Sequence, residues 1–92
     1  MTSNQWYLYV VACRDESLYT GITTDVERRV EEHNESKEGA RYTRSRRPVR
    51  LVASWSCDSR SEAARLEYAF KALRRDEKLA RLNAASVHDL LD

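Results

Sequence analysis

The segment Gln5–Arg14, QWYLYVVACR, constrains the fold more than any other part of the chain. It is dense in aromatic and β-branched residues and carries no helical stripe, so it predicts a strand. Asp15-Glu16-Ser17 supplies a turn, and Leu18–Ile22, LYTGI, returns as the second strand of a hairpin. Both strands are apolar on more than one face. The expectation is a sheet covered on one side and lining a pocket on the other.

Helical signals follow. Thr24-Asp25-Val26-Glu27 matches a capping box, with Thr24 as N-cap and Glu27 reaching back, and predicts a charged helix to about Asn34. Residues 35–47 are polar, include Gly39 and lack a clean period, so they read as a loop with at most a short helical turn. Pro48 opens a third strand over 49–56. Ser59 and Glu62 form a second capping box, and Ala63, Leu66, Phe70 and Leu73 recur at helical spacing to about Arg75. Asp76 is placed to cap a further short helix burying Leu79 and Leu82. The tail 83–92 stays ambiguous, although Val87, Leu90 and Leu91 suit one last helical turn. The order is β-β-α-β-α-α, an α+β fold with a small antiparallel three-stranded sheet flanked by helices. Strand pairing beyond the hairpin is left open. Ninety-two residues make one domain, 1–92, with its core at about 5–82.

Composition removes several classes. Two glycines and one proline argue against linkers and low complexity. The longest apolar run, Leu8–Cys13, is too short to span a bilayer, and Met1–Asn4 lacks the charged start of a signal peptide. A cytoplasmic protein without a membrane partner is expected. Cys13 and Cys57 have no Cys or His at zinc-site spacing, so no structural zinc is expected, and a reducing compartment disfavours a disulfide between them. A net charge of +1 predicts no polyanion partner by itself. Its distribution does: Lys37, Arg41, Arg44, Arg46, Arg47 and Arg50 face a single Glu38.

The chemistry-bearing residues each have two readings. Tyr9 and Tyr19 are either a cross-strand core pair or phenols that activate a water, which needs a nearby cation because a free phenol has a pKa of about 10. Arg29 and His33 are i and i+4 on the first helix. They form a solvated face, or else a cation for a phosphate oxygen beside an imidazole that orients a hydroxyl or shuttles a proton. Glu67 either pairs with Lys71 one turn on or supplies the carboxylate of a magnesium site, with Lys71 on phosphate. The stretch Ala40–Arg50, ARYTRSRRPVR, mixes arginines with Tyr42, Thr43 and Ser45, suited to backbone phosphates and one stacking ring. Five arginines on phosphates would give a log–log salt slope of about −4.5.

Together, Tyr7-Leu8-Tyr9, Tyr19-Thr20-Gly21, Arg29, His33 and Glu67 resemble the GIY-YIG nuclease superfamily, in particular its small stand-alone prokaryotic members. The phrases LYTGITTDVERRVEEHN and GARYTRSRRPVRLV are also similar to the catalytic domain of structure-selective endonucleases. The resemblance runs from Trp6 to about Leu82. It implies catalytic roles for Tyr9, Tyr19, Arg29, His33 and Glu67, with Tyr9 as general base and Glu67 as ligand of Mg²⁺ or Mn²⁺. It implies DNA as partner, and the basic segment and the later helix offer Lys37, Arg41, Tyr42, Arg44, Arg46, Arg47 and Lys71 to hold it. Tyr7 stands where the family has its first glycine, Leu8 and Thr20 replace the isoleucines, and the family's late asparagine has no secure match. No separate DNA-recognition domain is seen, so cleavage is expected to be structure-dependent or weakly selective, in repair or recombination, unless a protein partner targets it. A monomer or weak dimer is expected. A non-catalytic nucleic-acid-binding module on the same fold is the alternative.

Overall fold

The computed structural model describes residues 5–92; Met1–Asn4, on which the reading of the N-terminus rests, lie outside the described residues. β1 (Trp6–Ala12) and β2 (Leu18–Thr23) form the expected antiparallel hairpin, and β3 (Arg50–Cys57) pairs antiparallel with the other edge of β1. The sheet order β2-β1-β3 puts the most apolar strand in the centre, buried from Leu8 through Ala12. A register shift between Val10 and Val11 leaves Val52 without a partner on β1, a bulge in β3. The hairpin turn is tied by Asp15, whose Oδ1 accepts both the amide and the hydroxyl of Ser17. Glu16 completes it with a left-handed backbone, φ 69°.

α1 (Val26–Glu35) is capped by Asp25, which accepts the Arg28 amide, rather than by Thr24. Thr23 Oγ1 takes the Asp25 amide and so carries the turn one residue further. α2 (Arg41–Arg44) is the short helical turn within the loop. α3 (Arg60–Lys71) has Ser59 as its N-cap, as expected, while Glu62 reaches the amide of Asp58 instead of Ser59. It ends at Lys71, short of Arg75. α4 (Arg75–Arg81) then starts after Arg74, whose amide is held by Glu77, so Asp76 is not the cap. A 3-10 turn at His88–Leu91 ends the chain.

Both faces of the sheet are covered, not one. Leu8, Val10, Trp55 and Cys57 pack against Ala63, Leu66 and Phe70 of α3. Val87 is fully buried in the same cluster, and Trp55 Nε1 donates to the carbonyl of Ala84 at 2.9 Å, so the core runs past Leu82 into the tail. Burying a side chain such as Phe70 stabilises the fold by roughly 1.5–3 kcal/mol. On the opposite face Tyr9, Val11, Cys13 and Val49 pack against Val26 and Val30 of α1. Cys13 and Cys57 are free thiols in separate clusters.

Candidate active site

The hairpin register decides where the two tyrosines go. Tyr9 pairs with Gly21 and Val11 with Tyr19, so the tyrosines lie diagonally on the α1 face of the sheet. Gly21 is what lets Tyr9 lie across β2. A Cβ at residue 21 would stand 2.6 Å from the Tyr9 hydroxyl oxygen.

His33 projects from α1 to meet that hydroxyl. Its Nε2 is 2.7 Å from Tyr9 Oη, and the imidazole is fully buried. On its other side Nδ1 faces the Ala40 amide at 3.2 Å and Thr43 Oγ1 at 2.9 Å. The Ala40 N–H can only donate, so Nδ1 holds the lone pair and the ring proton sits on Nε2, aimed at Tyr9. The Thr43 hydroxyl lies between Nδ1 and the Ala40 carbonyl, 2.9 Å from each.

Charge follows from burial. His33 is driven down to about 4, first by desolvation and then by the positive charge of Arg29. It is therefore neutral at physiological pH and serves as a fixed donor rather than a proton shuttle. Desolvation pushes the Tyr9 phenol up to about 12, a hydrogen bond from Arg29 opposes it, and the charges of Tyr19 and Glu67 add to the rise. Tyr9 is a phenol at rest. The imidazole N–H and the guanidinium beside it are groups that favour the phenolate.

Arg29 Nη1 donates at 2.8 Å to both Glu32 Oε1 and the Glu38 carbonyl, which fixes the guanidinium beside the phenol. Glu67 comes from the other side. α3, which bears Glu67, packs against β2, the edge strand, and β1. The Glu67 carboxylate forms the expected pair with Lys71 Nζ, at 2.9 Å, while its charge is still felt at Tyr9. Lys71 Nζ lies 6.0 Å from the centre of the Tyr19 ring. Tyr7 stands apart from this group, lining an open pocket with Leu51, Ser54 and the acidic start of α1 at Asp25 and Glu27.

The basic loop divides. Lys37, Arg41 and Arg44 are exposed and make no salt bridge among the described residues. Arg46 pairs with Asp15 at 3.1 Å and lies 4.0 Å over the Tyr42 ring, which also stacks on Tyr19. Arg47 is turned inward. Its guanidinium donates to the carbonyls of His33 and Ser36, with Glu32 further off, and so holds the C-terminus of α1. Expected on phosphate, it is drawn onto the end of α1, where it joins the Ser36 amide on the Glu32 carbonyl and the Gly39 amide on the Ser36 carbonyl. Thr43, expected among the phosphate contacts, and the Ala40 amide, which no motif marks, hold His33 instead. The only sequence signal for them was Gly39, where a Cβ would meet the Glu32 carbonyl oxygen at 2.5 Å and His33 Cα at 2.8 Å.

Two motif-bearing strands, a buried phenol–imidazole pair, a fixed arginine and a carboxylate from a later helix define a catalytic domain of the GIY-YIG type. Residues 5–80 match the family model of the GIY-YIG catalytic domain, and the chain belongs to that family. It is similar to a UPF0213 protein of Desulfotalea psychrophila, 54% identical over 80 residues, which covers 87% of this chain and 73% of that one. A UPF0213 protein of Halobacterium salinarum is 54% identical over 74 residues, 80% of this chain and 95% of its own. Among solved structures, the solution structure of a UPF0213 protein from Bacillus halodurans is 49% identical, with TM-score 0.53, covering 86% of this chain and 85% of that one. The solution structure of a protein from E. faecalis is 41% identical, with TM-score 0.58, covering 86% of this chain and 84% of that one.

Proposed function

We propose that this chain is a divalent-metal-dependent endonuclease that hydrolyses DNA phosphodiester bonds, acting in the cytoplasm with structure-dependent or weakly selective cleavage. The observation that carries the reading is the Tyr9 hydroxyl held at 2.7 Å by a neutral, buried His33, with Arg29 alongside. A tyrosine that served only the core would need neither a dedicated imidazole donor nor a guanidinium.

In this mechanism Tyr9, as phenolate, takes the proton of the attacking water. The His33 N–H and Arg29 stabilise the charge on Tyr9, and Arg29 also faces the charge that develops on the phosphoryl oxygens. Tyr19 positions the water or the phosphate. The new P–O bond forms as the bond to the leaving sugar oxygen breaks, and that oxygen takes a proton from solvent. Glu67 fits a magnesium or manganese ion: it offers one accessible carboxylate on a rigid helix, and these ions complete their shells with waters and substrate phosphate. When bound, such an ion supplies Lewis acidity and lowers the cost of the phenolate. Glu67 would hold the ion, and Lys71, one turn on along α3, would contact phosphate. Lys37, Arg41 and Arg44 hold the backbone of the DNA.

A second reading, a non-catalytic DNA-binding module, is favoured by one observation: Arg29 and Glu67 are already paired, with Glu32 and Lys71. The deciding experiment is cleavage of labelled flap, junction, duplex and single-stranded DNA, with and without Mg²⁺ or Mn²⁺. Wild type is compared with Glu67→Ala. Cutting by wild type only, with DNA affinity of the variant within a few fold, is the expected result. Tight salt-sensitive binding by both without cutting would favour the binding module.

A further inference from the structure

At the far end of the sheet from the tyrosines, three metal-competent side chains converge from separate elements. Cys57 ends β3, Glu62 lies in the first turn of α3, and His88 opens the 3-10 turn of the tail. One ligand atom from each, Cys57 Sγ, a Glu62 oxygen and a His88 ring nitrogen, lies within 4.8 Å of the others. His88 Nε2 is 3.4 Å from Glu62 Oε1. Ligands bound to one zinc ion stand about 3.5 Å apart, so closing the set takes small side-chain rotations. We propose that Cys57, Glu62 and His88 bind one borderline transition-metal ion, of the zinc class, that clips the tail onto the core.

Three features of the surroundings favour a bound ion over a chance cluster. His88 Nδ1 is 2.9 Å from Ser86 Oγ, which also accepts the His88 amide, so the ring is turned with Nε2 toward Glu62. Metal-bound histidines are oriented by such a contact on their second nitrogen. Glu62 is fixed as well, because its Oε1 accepts the Asp58 amide at 2.8 Å. The third ligand is rigid: Cys57 is 1% exposed at the end of a core strand. The donor set of thiolate, imidazole and carboxylate selects zinc or cobalt over magnesium or calcium, and three protein ligands leave a position for water. Binding displaces the thiol proton to solvent.

This ion is distinct from any at Glu67. Five residues separate the two carboxylates on α3, so they project from different sides of the helix. Its effect is on the tail. Val87, buried in the core, is held there by the turn that carries His88. Sequence spacing gave no hint of the site, because Cys57 and His88 come together only through the fold.

The test is titration of the reduced full chain with Co²⁺ under anaerobic conditions. A one-to-one thiolate-to-cobalt charge-transfer band, removed by stoichiometric Zn²⁺, is expected. Cys57→Ser should abolish it, Cys13→Ser should retain it, and His88→Gln should weaken Co²⁺ at least tenfold. Because Cys57→Ser risks unfolding, His88→Gln at the half-exposed turn is the decisive variant. Zn²⁺ at ten times its Kd should raise the Tm of wild type by about 5 °C or more, and much less in His88→Gln. No sulfur-to-cobalt band in wild type overturns the proposal, as does a band of undiminished affinity in His88→Gln.

Discussion

The Tyr9 hydroxyl and His33 Nε2 stand 2.7 Å apart, and burial disfavours charge on both. With the phenol pushed up to about 12, only a small fraction is phenolate at neutral pH. The cleavage rate is expected to rise about tenfold per pH unit from neutrality to pH 10. Single-turnover cleavage from pH 6 to 10 measures this, and a flat profile removes Tyr9 as base. Tyr9→Phe should abolish turnover while binding DNA within a few fold.

Stability should depend on His33. Its pKa is near 4 folded against 6.5 unfolded, so the unfolded chain takes up a proton first. The contribution is present above pH 6.5 and lost as pH falls toward 4, on the order of 2–3 kcal/mol. Urea midpoints should fall steeply over that window in wild type. A His33→Gln variant should be less stable at pH 7 and flatter below it; an unchanged slope would exclude His33 as the source.

Gly21→Ala is expected to fold and to lose activity. The added methyl group lands within 2.6 Å of the Tyr9 oxygen, and the flexible element there is the phenol. A displacement of about 1 Å at a catalytic group can cost about 100-fold in rate. Turnover falling by that order with little change in KM is the expected signature. A variant with wild-type turnover would show that the position of Tyr9 does not matter.

Arg44 and Arg47 should separate cleanly. Removing Arg44 should leave Tm unchanged and reduce the salt slope of DNA binding by about 0.9. Removing Arg47 should lower stability by about 1–3 kcal/mol, since the His33 and Ser36 carbonyls lose a charged donor. Thermal melts and salt titrations on both variants check this, and an Arg47→Ala protein with wild-type stability would restore Arg47 to the phosphate contacts.

Glu16→Asn should stabilise the fold by about 0.5–1 kcal/mol. Asn tolerates the left-handed backbone at φ 69° better than Glu. The lost ion pair with Arg50, 3.6 Å between highly exposed groups, contributes little. A lower urea midpoint would contradict this.

The hairpin, the third strand and both long helices were legible because each combines a period with punctuation, as in LYTGI followed by a cap. The family resemblance named Tyr9, Tyr19, Arg29, His33 and Glu67 as candidates, and the fold brings Tyr9, Tyr19 and His33 together. What stayed hidden depends on side chains choosing among local options. Thr24 and Asp25 are both good caps, and only the Thr23 hydroxyl decides between them. Arg47 looks like its neighbours in sequence, and only the chain's return past α1 turns it inward. Val87 reads as a tail residue until Trp55 is seen to bind Ala84.

The inward turn of Arg47 has a consequence for recognition. With α1, Gly39 and Arg47 locked together, Arg41 and Arg44 sit on a template whose geometry is set when the chain folds. Little entropy remains to be lost when DNA arrives, and little adjustment is on offer. If the chain binds DNA as proposed, such a surface is expected to discriminate by rejecting backbones of the wrong curvature, so that the shape of the nucleic acid, more than its letters, would be the quantity it reads.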